Sequence, residues 1–392
     1  MIRSFRPSPP TVGVELEWQL VDEGTLDLRD GIMPLTEVLG GDLYIKPEMI
    51  QPAVETITPP AESTAALRPS LVDVLARVVD AADRFGLAVV GAGTHPFCDR
   101  TVPITPLPRY LAMERAHGYL AHAYVVYSLQ THVGMPSGEV AVRVMRDLRG
   151  FVPVLLALSG SSPFSHGYAT PFASYRQRVL AAARSCGMPP AFEDWRAFVD
   201  FLDTAERASM FASFRDMHWD VRLRPDFGTI EVRVIEVRVM DAQPTIARSL
   251  ALAAVVHSLL VHLAETTAEE QRPALARPLP SWLEKENAFR ASHEGMGAWL
   301  VCDPEGTVRP LRELAEELFD LVAPTARRLG EDGDLARARD LLDDPCCRRQ
   351  LAIFRSTGST REVVRVLANE LRDELARARL APYDAADVSG AP

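Results

Sequence analysis

Residues 12–20 read V-G-V-E-L-E-W-Q-L, and Glu15 and Glu17 are the first pair whose type and spacing suggest chemistry. In a strand, successive side chains point to opposite sides. Val12, Val14, Leu16, Trp18 and Leu20 then share one face, and Gly13, Glu15, Glu17 and Gln19 the other. Adjacent carboxylates repel unless positive charge lies between them. A divalent cation such as Mg2+ supplies that charge, because it is a hard ion that takes oxygen ligands. A half-exposed strand with solvated glutamates alternates in the same way, so the chemical reading depends on what other strands carry.

Four further stretches agree with it. Q-P-A-V-E-T-I-T places Glu55 opposite Val54 in the alternation, and Gln130, His132 and Gly134 share one face of residues 127–134. Residues 218–224 put Asp220 and Arg222 on a polar side, backed by Trp219, Val221 and Leu223. In residues 229–234, Glu231 and Arg233 fall together. Lysine is absent from all five stretches and arginine stands in its place. Arginine is the residue suited to bidentate recognition of phosphate or carboxylate. Carboxylates that hold Mg2+, with arginines that neutralise transferring phosphoryl oxygens, make a nucleotide–metal site.

The elements that must position these residues can be read more coarsely. Residues 62–85 have helical apolar spacing and precede a strand at 87–91 and the loop G-A-G-T-H-P-F. Helix is expected at 110–123, strand at 124–134, and an amphipathic helix at 139–158 that Pro153 kinks or breaks. Helix follows at 192–211, strand at 218–223, extended chain at 229–240, and mostly helix to about residue 378. Separated strands with one polar face predict an α+β fold: a mostly antiparallel sheet, open on one face and covered by helices on the other. A doubly wound sheet would need strands apolar on both faces. We expect one domain over residues 11–380, with flexible tails at 1–10 and 381–392.

Composition narrows the partners. The chain has 392 residues, 47% hydrophobic and 24% charged, as soluble globular proteins do. A net charge of −11 argues against a general nucleic-acid binder, while local arginines can still hold an anionic substrate. Five cysteines without a CxxC fit neither a disulfide framework nor a zinc site and point to a reducing cytoplasm. The N-terminus has no apolar signal core. The most hydrophobic run, residues 246–264, contains Arg248, His257 and His262, so we read a buried helix and expect no membrane partner. Apolar helices suit a core or a subunit interface, which leaves a homo-oligomer open. There is no GxxxxGK[ST], no HExxH, no G-x-S-x-G and no kinase motif set.

Several short motifs, in order, resemble the carboxylate-amine ligase family, the group called glutamate-cysteine ligase type 2. They are T-V-G-V-E-L-E, Q-P-A-V-E-T-I-T-P, G-A-G-T-H-P-F, T-H-V-G, A-L-S-G-S-S-P-F, A-S-Y-R, W-D-V-R, F-G-T-I-E-V-R-V and V-M-D-A-Q-P-T, with a later K-E-N-A-F-R. They span about residues 11–301. The resemblance implies a sheet like that of the glutamine synthetase catalytic domain, with ATP and Mg2+ on its polar face. It implies ATP-dependent joining of a carboxylate, usually glutamate's, to an amine, with cysteine the obvious one, through an acyl phosphate. Carried over by position, Glu15, Glu17 and Glu55 are expected as Mg2+ ligands. His132 is expected at the metal or a phosphate, and Gln130 and Asp220 beside the nucleotide. Arg176 and Arg222 are expected on phosphate or substrate carboxylate; the alternative role for Asp220 is only to orient Arg222. His95 serves as well to fix its loop as to touch substrate.

Two departures from the family pattern stand out. Gln130 replaces a family histidine, an amide that cannot take up charge. E-V-R-V-I at 231–235 is followed at once by E-V-R-V-M at 236–240. The offset of five is odd, so a straight strand would send Glu231 and Arg233 to one face and Glu236 and Arg238 to the other. Only one pair can serve the site unless the strand bulges, and either is a candidate for the metal and catalytic positions. These departures motivate an alternative, an ATP-binding homologue with weak or no catalysis and a regulatory or assembly role. A metal-dependent amide hydrolase using the same acidic face is a third reading.

Overall fold

Alternation in residues 12–22 produces the strand on which the molecule is built. The computed structural model describes residues 4–211, 216–225, 231–266, 273–277 and 279–380. Its main sheet has eight strands: β1 (Ser4–Phe5), β2 (Val12–Asp22), β3 (Ile45–Pro47), β4 (Ala53–Ile57), β5 (Leu87–Val90), β6 (Ser128–Gly134), β7 (Val221–Pro225) and β8 (Glu231–Asp241). The order is β1-β8-β6-β2-β4-β3, with β5 also pairing β2 and β7 also pairing β8. Every pairing is antiparallel except the short parallel contact of β1 with β8. The expected α+β architecture is therefore the one that forms.

The apolar face of β2 supplies the core. Val12, Val14, Leu16, Trp18 and Leu20 are each at most 2% exposed. They share one cluster with Leu67, Leu71, Leu75 and Val78 of helix α1 (Thr64–Asp83). Ser63 caps α1 by accepting a hydrogen bond from Ala66 N–H. The apolar run reads as helix Ile246–Glu265, long and apolar enough to cross a membrane, yet 83% of its most apolar window is buried inside the protein. It packs into the same core, with Leu250, Val255 and Leu259 fully buried. Each fully buried large aliphatic side chain contributes about 1.5–3 kcal/mol.

Two expectations are corrected. Residues 4–10 are not a free tail: Ser4–Phe5 extends the sheet, Ser8 N–H donates to Met135 O, and Pro10 O lies 2.7 Å from His257 Nε2. Exposed strand edges seek pairing, and the edge of β8 provides it. The helix expected at 110–123 is two helices, α2 (Pro108–His117) and Tyr119–Ala123, because Gly118 takes φ 57° between them. The helix expected at 139–158 breaks beside Pro153 as expected, into Gly138–Asp147 and Val152–Ser159, joined by a 3-10 turn at Leu148–Phe151. Pro153 stands in the first turn of the second piece, where a missing N–H costs nothing. Residues 381–392 lie outside the described residues.

Candidate active site

A cleft of about 330 Å³ opens on the polar face of the sheet. Its lining includes Glu15 and Glu17 of β2, Glu55 of β4, Gln130 of β6, Arg222 and Arg224 of β7 and Arg238 of β8. Glu17 stands directly opposite Glu55 in the antiparallel register, and Glu15 opposite Gln130. Five strands thus bring their polar residues to one place.

The glutamates sort into two clusters. Glu17, Glu48 and Glu55 offer carboxylate oxygens within 4.8 Å of one another. Burial and the Glu48 charge push Glu17 up to about 7; burial and the charges of Glu15, Glu48 and Glu17 push Glu55 well up as well. Glu17 is aimed by Ser128 N–H at 2.6 Å and Gln130 Nε2 at 3.0 Å. Such crowding of hard oxygen donors suits a divalent cation. Glu15, His132 and Glu236 form the second cluster, also within 4.8 Å. Here arginine supplies the positive charge. Arg224 Nη1 donates to Glu15 Oε1 at 2.6 Å and lies 3.2 Å from Glu236 Oε1 and 3.4 Å from His132 Nε2. Burial would raise both carboxyls, but His132 and Arg224 hold Glu15 at about 2. Arg222, Arg238 and Arg224 hold Glu236 well below the usual range.

Two bulges fix where the second copy of the repeated segment falls. Against β7, Val232 pairs with Pro225 and Val234 with Arg224, so β8 spends one extra residue. Against β6, Val237 pairs with Thr131 and Met240 with Leu129, which absorbs another. Glu236 lands opposite both His132 and Arg222, fully buried, and it is this copy that joins the site with Arg238. The side chains of Glu231 and Arg233 lie outside the described residues.

The remaining expected residues divide between cleft and scaffold. Gln130 accepts from Arg238 Nη1 while donating to Glu17, so the amide links a cation to a carboxylate. Arg222 is ion-paired with Glu236 and donates to Met217 O; burial lowers it to about 10. Asp220 does not orient Arg222. Its carboxylate accepts from Gln177 Nε2 at 3.1 Å, and its carbonyl from Arg238 N–H. Arg176 lines the cleft, yet its guanidinium donates to the carbonyls of Val239 and Arg238, the backbone groups that the second bulge frees. His95 is a loop anchor. Its Nε2 lies 3.0 Å from Leu26 O, Nδ1 accepts from Cys98 N–H, and burial lowers it to about 4.

Two site residues escaped the sequence reading. Arg224 continues the 220, 222, 224 alternation, so the same period-2 argument reaches it. Glu48 follows Pro47 at the end of a three-residue strand, too short to show a period. The S-G-S-S, A-S-Y-R and D-A-Q motifs prove structural together. The fully buried Asp241 carboxylate accepts from Ser161 N–H, Ser162 Oγ and Ser174 Oγ at 2.6–2.9 Å. Gly93 of G-A-G-T allows its approach, since a Cβ there would sit 2.7 Å from that carboxylate.

Residues 11–366 match the model of Glutamate-cysteine ligase family 2. The chain belongs to that family. It is 43% identical over 374 residues to a provisionally named glutamate-cysteine ligase 2 of Trichormus variabilis, covering 95% of each chain. A similarly named protein of Thermobifida fusca is 33% identical, covering 95% of this chain and 94% of its own. Among solved structures, the fold is similar to glutamate-cysteine ligase from Francisella tularensis in complex with AMP, with a TM-score of 0.68. That match covers 98% of this chain and 91% of the other at 14% identity. A bifunctional glutathione synthetase from Pasteurella multocida gives a TM-score of 0.67, covering 94% of this chain and 52% of the other at 14% identity. As a member of glutamate-cysteine ligase family 2, the chain is an ATP-dependent carboxylate–amine ligase acting on small molecules. This reading takes precedence over the hydrolase and inactive-homologue alternatives.

Proposed function

We propose that the cleft joins the carboxylate of glutamate to an amine, cysteine first among them, with ATP and Mg2+. The observation that carries this reading is the pair of carboxylate clusters on the polar face of the sheet, with arginines interleaved. Glu17, Glu48 and Glu55 would hold one Mg2+, since their donors are all oxygens and their mutual repulsion raises Glu17 and Glu55. Glu15, His132 and Glu236 would hold a second, with Arg224 released from Glu15. When bound, the cation acts as a Lewis acid that draws charge from phosphoryl oxygens.

The chain's own residues do the rest. Arg224 and Arg238, each engaged with Glu236 and lining the cleft, would meet phosphoryl oxygens there. Arg222 keeps Glu236 fixed from behind. The glutamate carboxylate attacks the γ-phosphorus of ATP, an O–P bond forms, and ADP leaves. The amine nitrogen then attacks the acyl carbon. The C–N bond forms as the C–O bond to phosphate breaks, and inorganic phosphate leaves with the electron pair of that bond and takes up the proton the amine gives up.

The free state of all five cysteines supports a reducing, cytoplasmic setting for this reaction. The test is ADP release by purified protein given Mg2+, ATP, glutamate and a panel of amines. Release that requires both glutamate and an amine is expected; amide cleavage without ATP would overturn the reading.

A further inference from the structure

Glu48 stands where the main sheet runs out. β3 is the last strand in the order and pairs only with β4, so its outer edge has no strand beside it. The chain at 103–105 begins to cover the turn that follows. Gln51 N–H donates to Pro103 O at 3.0 Å, Ile50 bridges Ile104, and Thr105 N–H donates to Met49 O at 2.8 Å. That antiparallel register sets Pro106 opposite Glu48, and proline has no N–H to give. Backbone pairing therefore stops one residue short of the glutamate.

Two side-chain hydroxyls continue where the backbone cannot. Thr105 Oγ1 donates to Glu48 O at 2.6 Å, and the Tyr110 hydroxyl donates to Pro47 O at 3.1 Å. These two carbonyls belong to the peptide units on either side of the Glu48 Cα. Thr105 is fully buried and Tyr110 nearly so, and a carbonyl that loses such a partner finds no water to replace it. Burial and the Glu48 charge push the Tyr110 phenol well up, which keeps its proton in place for the bond. The Glu48 carboxylate is tied as well, accepting from Met49 N–H at 2.9 Å. Held in this way, it comes within 4.8 Å of the Glu17 and Glu55 donors.

We propose that Thr105 and Tyr110 are positioning residues of the ligase, whose hydroxyls fix the backbone of Glu48 and so hold the Glu17, Glu48 and Glu55 trio ready for a cation. This rests on the cation reading above. It also joins the trio to α2, because Tyr110 stands in the first turn of that helix and lines the cleft beside Arg109 and Met113. Neither hydroxyl touches the cation; each acts through Glu48.

The experiment titrates Mg2+ alone into nucleotide-free protein and reads the thermal midpoint, beside ADP release at saturating ATP, glutamate and cysteine. Tyr110→Phe and Thr105→Val each remove one hydroxyl at nearly constant shape. Each should raise the half-saturating Mg2+ by about 10-fold, as loss of a group that orients a metal ligand does. Excess Mg2+ should restore kcat to within about 3-fold, with KM for glutamate unchanged. Thr105→Ser keeps the hydroxyl and should respond to Mg2+ as the parent does. If one variant unfolds, the other carries the test. Parental half-saturation in both Tyr110→Phe and Thr105→Val would overturn the proposal. So would a Thr105→Ser defect equal to that of Thr105→Val, or a loss of kcat that excess Mg2+ does not repair. Absence of any Mg2+ response in the parent would instead overturn the cation reading, and the proposal with it. ADP release that needs neither glutamate nor an amine would overturn the ligase reading.

Discussion

Arg224 on β7 donates to Glu15 on β2 at 2.6 Å, across two intervening strands of the sheet. The same guanidinium reaches Glu236, so one side chain joins the two carboxylates that would otherwise repel within the second cluster. Arg224→Ala should therefore act twice, removing a cation for phosphoryl oxygens and freeing two buried carboxylates. We expect kcat to fall by about 100-fold or more, as when one transition-state donor is removed. Steady-state ADP release measures it; a change below about 3-fold would remove Arg224 from the reaction.

Glu55 faces the opposite situation, with carboxylates as its close neighbours. Glu55→Gln should not lower the metal-free thermal midpoint, because it relieves repulsion. It should shrink the upward shift that Mg2+ gives the parent protein, since a ligand that binds only the folded state stabilises it. Glu15→Gln should behave differently. It leaves Arg224 without one of its anionic partners and should abolish turnover while the fold persists. Scanning calorimetry with and without Mg2+ separates the two variants.

The repeated segment yields a direct comparison. Glu236→Gln strands three arginines around a neutral amide and should cost both activity and stability, the latter by about 3 kcal/mol or more. Glu231→Gln should retain at least about half of the parent rate if the second copy alone serves the site. Equal loss in both variants would contradict the register found for β8.

His95 gives a pH prediction. Its folded value is about 4, against 6.5 for the free side chain, because burial disfavours the imidazolium. The unfolded chain then binds the proton more readily, so this contribution to stability is complete above pH 6.5 and is lost as pH falls toward 4. The full effect is on the order of 3 kcal/mol. His95→Gln should flatten the decline of the thermal midpoint between pH 6.5 and 4; an unchanged slope would exclude His95 as its source.

Much of the site was legible because a strand has period 2. Glu15, Glu17, Glu55, Gln130 and His132 all reach the polar side that alternation assigns them. Arg176 shows the limit. Its motif marks it for phosphate, but its guanidinium is partly spent on two carbonyls that a bulge left unpaired. No sequence pattern announces that bulge. Asp241 and its three seryl donors read as a run of binding motifs and act as a buried hydrogen-bonded post.

The sequence by itself determined the sheet's two faces, the carboxylate and arginine chemistry, and the family. These depend on local alternation and on motif order, which are properties of the chain. Tertiary structure alone decided that Glu236 enters the described site, that Glu48 completes a carboxylate trio, and that Arg224 ties Glu15 to Glu236. Those outcomes turn on bulges, on a three-residue edge strand and on a side-chain ion pair between residues more than 200 positions apart. Register over such distances is set by the packing of the whole sheet, which no local pattern encodes.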